Sequence, residues 1–154
     1  MRAQVNEQCV IKANSLFWEQ MLGMTLDPVS IAGESCVGAG HLLGSVNLAG
    51  EWKGRIEVRR AEGLAYHATA AMLMLAVDTV VEADVLDAAK EIANVIAGTI
   101  KSSLPRHCTM TVPESAVEAE RFCLQSLTGN SLVVAFRHAA GNLLVHVWEQ
   151  GCKP

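Results

Sequence analysis

Residues 84–102, DVLDAAKEIANVIAGTIKS, decide the fold, because their apolar residues recur with the period of an α-helix. At about 100° per residue, the apolar side chains fall within an arc of roughly 140° around the helix axis. They are Val85, Leu86, Ala89, Ile92, Ala93, Ile96, Ala97 and Ile100. Such an arc must face a core, so the pattern predicts an amphipathic helix over residues 85–102.

The opposite face of this predicted helix has an unusual composition for a solvated surface. It carries Asp84, Asp87, Glu91, Asn94, Gly98, Lys101 and Ser102. Asn94 and Gly98 lie in mid-helix, where each costs roughly 0.5–1 kcal/mol relative to alanine. These two residues lower the helix propensity on the exposed face, where other residues would stabilise the helix better. Residues that conflict with the local structure in this way are expected at functional sites.

Glu91 and Asn94 are the central pair on that face. They lie three residues apart, so their side chains are neighbours about 60° apart around the axis. Asp87 lies one turn before Glu91, and Gly98 lies one turn after Asn94. Gly98 has no side chain and lets another backbone approach closely. We therefore expect this face to enter a cleft of another molecule, with Asp87 and Gly98 in contact with that partner.

The rest of the chain predicts helices and short strands in one domain over residues 1–154. Gly23 is placed to end a first helix over residues 5–22. Residues 44–60 predict two strands joined by a turn at Trp52, and residues 64–77 predict a mostly buried helix in which Met72 and Met74 fill core gaps. Short apolar runs at residues 108–112, 122–127, 132–137 and 143–148 predict further strands. The predicted fold class is α+β, a mainly antiparallel sheet with two long helices packed on it.

The string Asp87-x-x-x-Glu91-x-x-Asn94-x-x-x-Gly98 resembles the signature helix of the CheC, CheX and FliY phosphatases. Its surroundings resemble CheX: a Trp-x-Gly step at Trp52, a Met- and Ala-rich helix, and a signature helix that runs into Pro105. CheC carries two such motifs and CheX carries one. No second motif occurs in the first predicted helix, so the single string resembles the CheX branch.

The resemblance implies a phosphatase that acts on a phosphorylated response regulator, a CheY-like receiver domain that carries an aspartyl phosphate. It implies that Asn94 orients the attacking water and that Glu91 pairs with a lysine of the receiver. The Mg²⁺ ion is then expected in the partner, with no cofactor or metal bound by this chain. Relatives of CheX pair through sheet edges, so the resemblance also implies a homodimer.

Composition limits the other possibilities. The formal net charge is -4 and the only basic doublet is Arg59-Arg60, so a nucleic-acid partner is not expected. The longest apolar segment, residues 64–77, is shorter than the ~18 residues that a membrane span requires. No signal peptide is apparent at the N-terminus. We expect a soluble, cytoplasmic protein without a membrane partner.

The cysteines give no pattern of a disulfide framework or of a zinc site. They are odd in number and lack C-x-x-C spacing: Cys9, Cys36, Cys108, Cys123 and Cys152. We expect small buried side chains in a reducing compartment. Two alternatives to the phosphatase stay open, a non-catalytic CheX-like adaptor that binds a receiver domain or a flagellar-switch component, and a small-molecule binder that uses the apolar interior.

Overall fold

The computed structural model describes residues 5–29, 36–104, 107–123 and 131–149. Its helices are α1 (Glu7–Ser15), which continues as a π-helical segment (Leu16–Met21), α2 (Glu62–Leu73) and α3 (Glu82–Ser102), with a 3₁₀ turn (Val77–Thr79) between the last two. Its strands are β1 (Asp27–Val29), β2 (Cys36–Val37), β3 (His41–Gly50), β4 (Gly54–Arg60), β5 (Cys108–Met110), β6 (Glu114–Glu118), β7 (Phe122–Cys123), β8 (Ser131–His138) and β9 (Gly141–Glu149).

The main sheet has the strand order β1-β8-β9-β4-β3, and every pairing in it is antiparallel. Both β5 and β6 pair with the free edge of β3, at its two ends. A second small sheet joins β2 to β7. This architecture confirms the predicted α+β class with a mainly antiparallel sheet and two long helices. The extent of one domain over residues 1–154 stays a prediction.

The main core lies between one face of the sheet and the helices. The inner face of the sheet contributes Val46, Leu48, Ile56, Val58, Val134, Phe136, Leu143, Val145 and Val147. Helix α3 packs on it through the isoleucines at 92, 96 and 100, while Phe17 and Trp18 join from the first helical segment. The long predicted helix is thus the element that closes the core, as its apolar period requires.

The first helix and the β3–β4 turn follow the sequence prediction closely. Asn6 caps α1 by accepting a hydrogen bond from the Cys9 amide at 2.9 Å. Gly23 adopts a positive φ of 63° and ends the helical segment, as expected. Trp52 lies in the turn before β4, and its ring occupies the space where Gly54 would carry a Cβ. The glycine of the Trp-x-Gly step is therefore required by the ring.

The predicted helix over residues 64–77 is wrong at its C-terminal end. Helix α2 ends at Leu73, and Met74 takes the left-handed conformation with φ 56°. Met74 is 92% exposed, so the prediction that it fills a core gap is also wrong. The run of apolar residues continues past the end of the helix, but these residues do not recur with a helical period. In the following connection only Val80 is buried in a core cluster.

The structure also contains three short strands that were not predicted from the sequence, β1, β2 and β6. Each has five residues or fewer and lacks a clear alternation of apolar and polar residues. The predicted strand over residues 122–127 is described only as β7, and its remainder lies outside the described residues. The sequence Thr128-Gly129-Asn130, whose residue types are typical of a turn, lies outside them as well.

The prediction that no disulfide forms is wrong. Cys36 and Cys123 form a disulfide that joins β2 to β7, with their Cα atoms 4.1 Å apart. The two residues are 87 positions apart in sequence, so only the fold brings them together. Cys108 is a buried free thiol, as expected, and Cys9 is a half-buried one. Cys152 lies outside the described residues.

The outer face of the sheet carries a partly buried polar cluster around Arg59. This guanidinium donates to the ring Nε2 of His41 at 2.9 Å and lies 3.4 Å from a carboxylate oxygen of Glu57. It also lies 3.8 Å from the centre of the Phe122 ring, which belongs to the disulfide-linked sheet. Burial lowers the pKa of His41 and of His146, which face this cluster. The cluster is on the opposite side of the sheet from α3.

Candidate functional site

Helix α3 carries the predicted site residues on one face and packs against the core through the other. Its buried residues are Val85, Ala88, Ala89, Ile92, Ala93, Ile96, Ala97 and Ile100. The predicted apolar arc is confirmed with one exchange: Ala88 is buried and Leu86 is only partly buried. Because the inner face of the helix is fixed over its whole length, the side chains on the outer face have a defined spacing.

The four predicted site residues all lie on the accessible face of α3. Asp87 and Glu91 are exposed, while Asn94 and Gly98 are partly exposed. Within the described part of the chain, the side chains of Asp87, Glu91 and Asn94 make no hydrogen bond or ion pair. Their polar atoms are therefore available to another molecule. Of the central pair, Glu91 is the more exposed residue and Asn94 the more buried one.

An open groove of about 270 Å³ runs along one side of this face, between α2 and α3. Helix α3 contributes Asp84, Asp87, Ala88 and Glu91, and the end of α2 contributes Met72 and Leu73. One wall thus carries three carboxylates, and the other is apolar. Neither Met72 nor Leu73 was predicted at the site, because their sequence pattern matches that of core residues. Asp84 lies on the outer helix face, as predicted, but the sequence did not indicate a role for it at the site.

Gly98 lies in a different setting from Glu91. It lines a second groove of about 340 Å³ with Lys101, Ser102, Leu104, His107 and Cys108. Among the described residues, a Cβ added at Gly98 would meet only the terminal methyl of Met110, at the ordinary distance of 3.9 Å. The packing of the described residues therefore does not require a glycine at position 98. The structure places Asn94 between the two grooves along α3.

The residues that the structure describes contain neither a metal-ligand cluster nor a membrane-spanning helix. Across residues 5–29, 36–104, 107–123 and 131–149, no three His, Cys, Asp or Glu side chains come together in a way that could hold a metal ion. None of the helices in these ranges has the length and apolarity to cross a membrane.

The profile of the family described as chemotaxis phosphatase CheX matches residues 42–137 of the chain. The chain belongs to the CheX family. The matched region runs from β3 into β8 and includes the whole of α3. Family membership confirms the class of function expected from the sequence, that of a chemotaxis phosphatase. Curated protein sequences give no match to the chain.

Solved structures confirm the fold of this CheX-family chain. Chemotaxis protein CheX from Vibrio vulnificus is 17% identical with a TM-score of 0.77, and the match covers 97% of this chain and 100% of that chain. A CheC-like superfamily protein from Shewanella is 18% identical with a TM-score of 0.76, over 96% and 100% of the two chains. The match to the CheX-CheY-BeF3-Mg²⁺ complex from Borrelia burgdorferi has 17% identity and a TM-score of 0.73, over 92% and 96%.

Proposed function

We propose that this CheX-family chain hydrolyses the aspartyl phosphate of a phosphorylated CheY-like response regulator, with Glu91 and Asn94 as its catalytic residues. One observation carries the proposal: the two side chains lie next to each other on the accessible face of a helix whose other face is fully packed, and neither has a partner among the described residues. The Borrelia burgdorferi relative was solved with CheY, BeF3 and Mg²⁺, which supports the choice of partner.

Asn94 is proposed to hold the attacking water. A side-chain amide both donates and accepts hydrogen bonds, so it can fix the orientation of a water molecule in line with phosphorus. The water oxygen forms a new bond to phosphorus while the bond from phosphorus to the aspartate oxygen breaks. Aspartate leaves as its carboxylate, the phosphoryl group leaves as inorganic phosphate, and the water releases a proton. Water positioning of this kind resembles the role of the glutamine in GTPases.

Glu91 is proposed to set the register between the two proteins. A carboxylate can form a charge-assisted hydrogen bond with the lysine that the receiver carries at its phosphorylation site. Because Glu91 and Asn94 are three residues apart on one helix, binding of that lysine places Asn94 at a fixed distance from the phosphoryl group. Asp87 and Gly98, one turn away on either side, are proposed to contact the same partner.

The Mg²⁺ ion is proposed to belong to the receiver domain. There it neutralises charge on the phosphoryl oxygens during transfer, and this chain contributes no ligand to it. A chelator should then stop phosphate release and leave the unfolding temperature of this chain unchanged. A lower unfolding temperature in the chelator would contradict this assignment.

Two further properties complete the proposal. We propose that the chain acts in the cytoplasm, where the receiver is phosphorylated, and that it forms a homodimer, as the resemblance to CheX implies. The low charged fraction of 18% is compatible with some buried interface. Light scattering at micromolar concentration should give twice the mass of the chain, and the mass of a single chain would contradict the dimer.

The test follows phosphate release from a phosphorylated CheY-like receiver, with and without the chain. Glu91→Gln removes the charge and keeps the shape, and Glu82→Gln on the exposed first turn of α3 is the matched control. We expect acceleration by the wild type and by the control, and a loss of about tenfold or more in kcat/KM for Glu91→Gln. A chain that captures the receiver in a pull-down without changing phosphate release would be an adaptor, and the proposal would fail.

A further inference from the structure

Exposed apolar side chains are concentrated in the last residue of α2 and the connection from it to α3, residues 73–81, here termed the apolar connector. Nine large apolar side chains are exposed among the described residues, and five of them belong to this connector. They are Leu73, Met74, Leu75, Val77 and Val81. Single exposed apolar residues are ordinary, whereas a contiguous group is typical of an interaction surface.

The apolar connector is held in a defined conformation. Val80 is only 8% exposed and packs in a small core cluster with Leu42 and Val85. The Leu75 amide donates to the carbonyl of Ala70 at 3.0 Å, and local hydrogen bonds fix the 3₁₀ turn at residues 77–79. The apolar side chains therefore stand in solvent on a backbone that is anchored at both ends.

Met74 is the most exposed member of the connector and the one whose presence the fold explains least. It adopts the left-handed conformation at the C-terminus of α2, where glycine or asparagine is normally preferred. With 92% of its surface exposed, its side chain gives no packing in return for this conformation. Methionine is enriched in protein interfaces because its flexible, polarisable side chain adapts to a partner.

The connector is continuous with the site on α3. Leu73 lines the same groove as Asp87 and Glu91, so a macromolecule that reaches Glu91 also covers the end of α2. We propose that the apolar connector is the docking surface for the phosphorylated receiver domain, an inference that rests on the proposed function. The acidic wall then faces the lysine and Mg²⁺ of the receiver, and the connector contacts apolar surface beside its phosphorylation site.

Charge argues against a second copy of this chain as the occupant. In a two-fold symmetric contact each patch meets itself, so the carboxylates of Asp84, Asp87 and Glu91 would face their own copies. Like charges brought together at an interface are unfavourable, and this chain already carries a net charge of -4. A partner that brings cations to this groove fits it better.

The test uses Met74→Asn, because asparagine tolerates the left-handed conformation and the substitution removes only the apolar side chain. The probe is a CheY-like receiver loaded with BeF3 and Mg²⁺ for binding, and the same receiver phosphorylated for kinetics. Val112→Asn is the matched control, since Val112 is 83% exposed and lies outside the connector. We expect Met74→Asn to raise both Kd and KM by about five- to thirtyfold with kcat unchanged, and the control to match the wild type.

Equal receiver affinity for Met74→Asn and the wild type would overturn the docking surface. If Asn94→Ala lost kcat in the same set of experiments, the proposed function would still stand. A weakened affinity in Met74→Asn together with a normal kcat in Asn94→Ala would support the docking surface and reject the catalytic assignment. Loss of a dimer in Met74→Asn, with receiver affinity unchanged, would assign the connector to a second copy and overturn the proposal. An unfolding temperature no lower than that of the wild type verifies that Met74→Asn is folded.

Discussion

Gly44 of β3 lies directly against the backbone carbonyl of Ala89 in α3. A Cβ added at Gly44 would overlap that carbonyl oxygen and would come within 3.1 Å of the Ala89 carbonyl carbon and of the Ala93 Cβ. Backbone atoms cannot rotate away as the end of a side chain can, so the glycine sets how closely α3 approaches the sheet. Glu91 lies two residues after Ala89, and its position above the sheet depends on this contact.

Gly44→Ala should therefore destabilise the protein, because α3 must move to admit the added methyl group. We expect a loss of about 1–3 kcal/mol in the free energy of unfolding, the usual effect of overpacking a core. Urea denaturation measures it. Gly38→Ala is the control, since a Cβ at Gly38 meets no atom of the described residues within 4 Å. Equal stabilities for the two variants would show that the contact does not limit the approach of the helix.

Gly98→Ala should separate stability from function. Alanine is favoured over glycine inside a helix by about 1 kcal/mol, and the described residues leave room for a methyl group at this position. The unfolding temperature should therefore rise. If a partner backbone packs against Gly98, kcat/KM for receiver dephosphorylation should fall in the same variant. Full activity in a stabilised Gly98→Ala would remove Gly98 from the partner-binding surface.

The Cys36–Cys123 disulfide should affect stability and leave catalysis unchanged. It closes a long loop, which raises the free energy of unfolding by about 2–4 kcal/mol in typical cases. The small sheet that it joins packs on the outer face, through Val37 and Ala135, on the opposite side from α3. We expect Cys123→Ser to unfold at lower urea concentration with an unchanged kcat. A changed kcat in a folded variant would reveal coupling through the sheet.

Acid should weaken the fold through His41. Its Nδ1 contacts the carbonyl of Gly38 at 2.8 Å and its Nε2 contacts the Arg59 guanidinium at 2.9 Å. A carbonyl only accepts and a guanidinium only donates, so these contacts require the neutral ring with its proton on Nδ1. Burial is the main cause that lowers the pKa of His41, and Arg59 adds to it.

The sign of the pH effect follows from that lowered pKa. Below about pH 6.5, the ordinary pKa of histidine, the unfolded chain binds more protons than the folded one, so the free energy of unfolding decreases. The decrease continues until the pH reaches the lowered pKa of the folded state. Denaturation at a series of pH values should show a shallower acid slope in His41→Gln than in the wild type. Identical slopes would exclude His41 as a source of the pH dependence.

The sequence was most informative for α3, because one face of this helix must pack in the core while the other stays accessible. In α3 the apolar period fixed which face is buried, and it thereby placed Glu91 and Asn94 on the accessible side. Residues 44–60 were correctly predicted to form two strands joined by a turn, but β3 begins at His41, because its first residues are buried without alternation.

Features that depend on contacts between distant residues were not predictable. The Cys36–Cys123 disulfide and the contact of Gly44 with Ala89 each join segments that are more than forty positions apart. The prediction for the apolar connector was wrong for a different reason. A run of apolar letters around Met74 matches a buried helix in composition, and composition alone does not show that a left-handed residue turns the chain out of the core.

The most direct test of the central claim is the single-turnover rate of receiver dephosphorylation by Asn94→Ala at saturating chain concentration. Asn47→Ala, an exposed asparagine on β3, is the control. Loss of the residue that positions the water should reduce the rate by about a hundredfold or more with receiver affinity little changed. A rate for Asn94→Ala equal to that of Asn47→Ala would contradict the account.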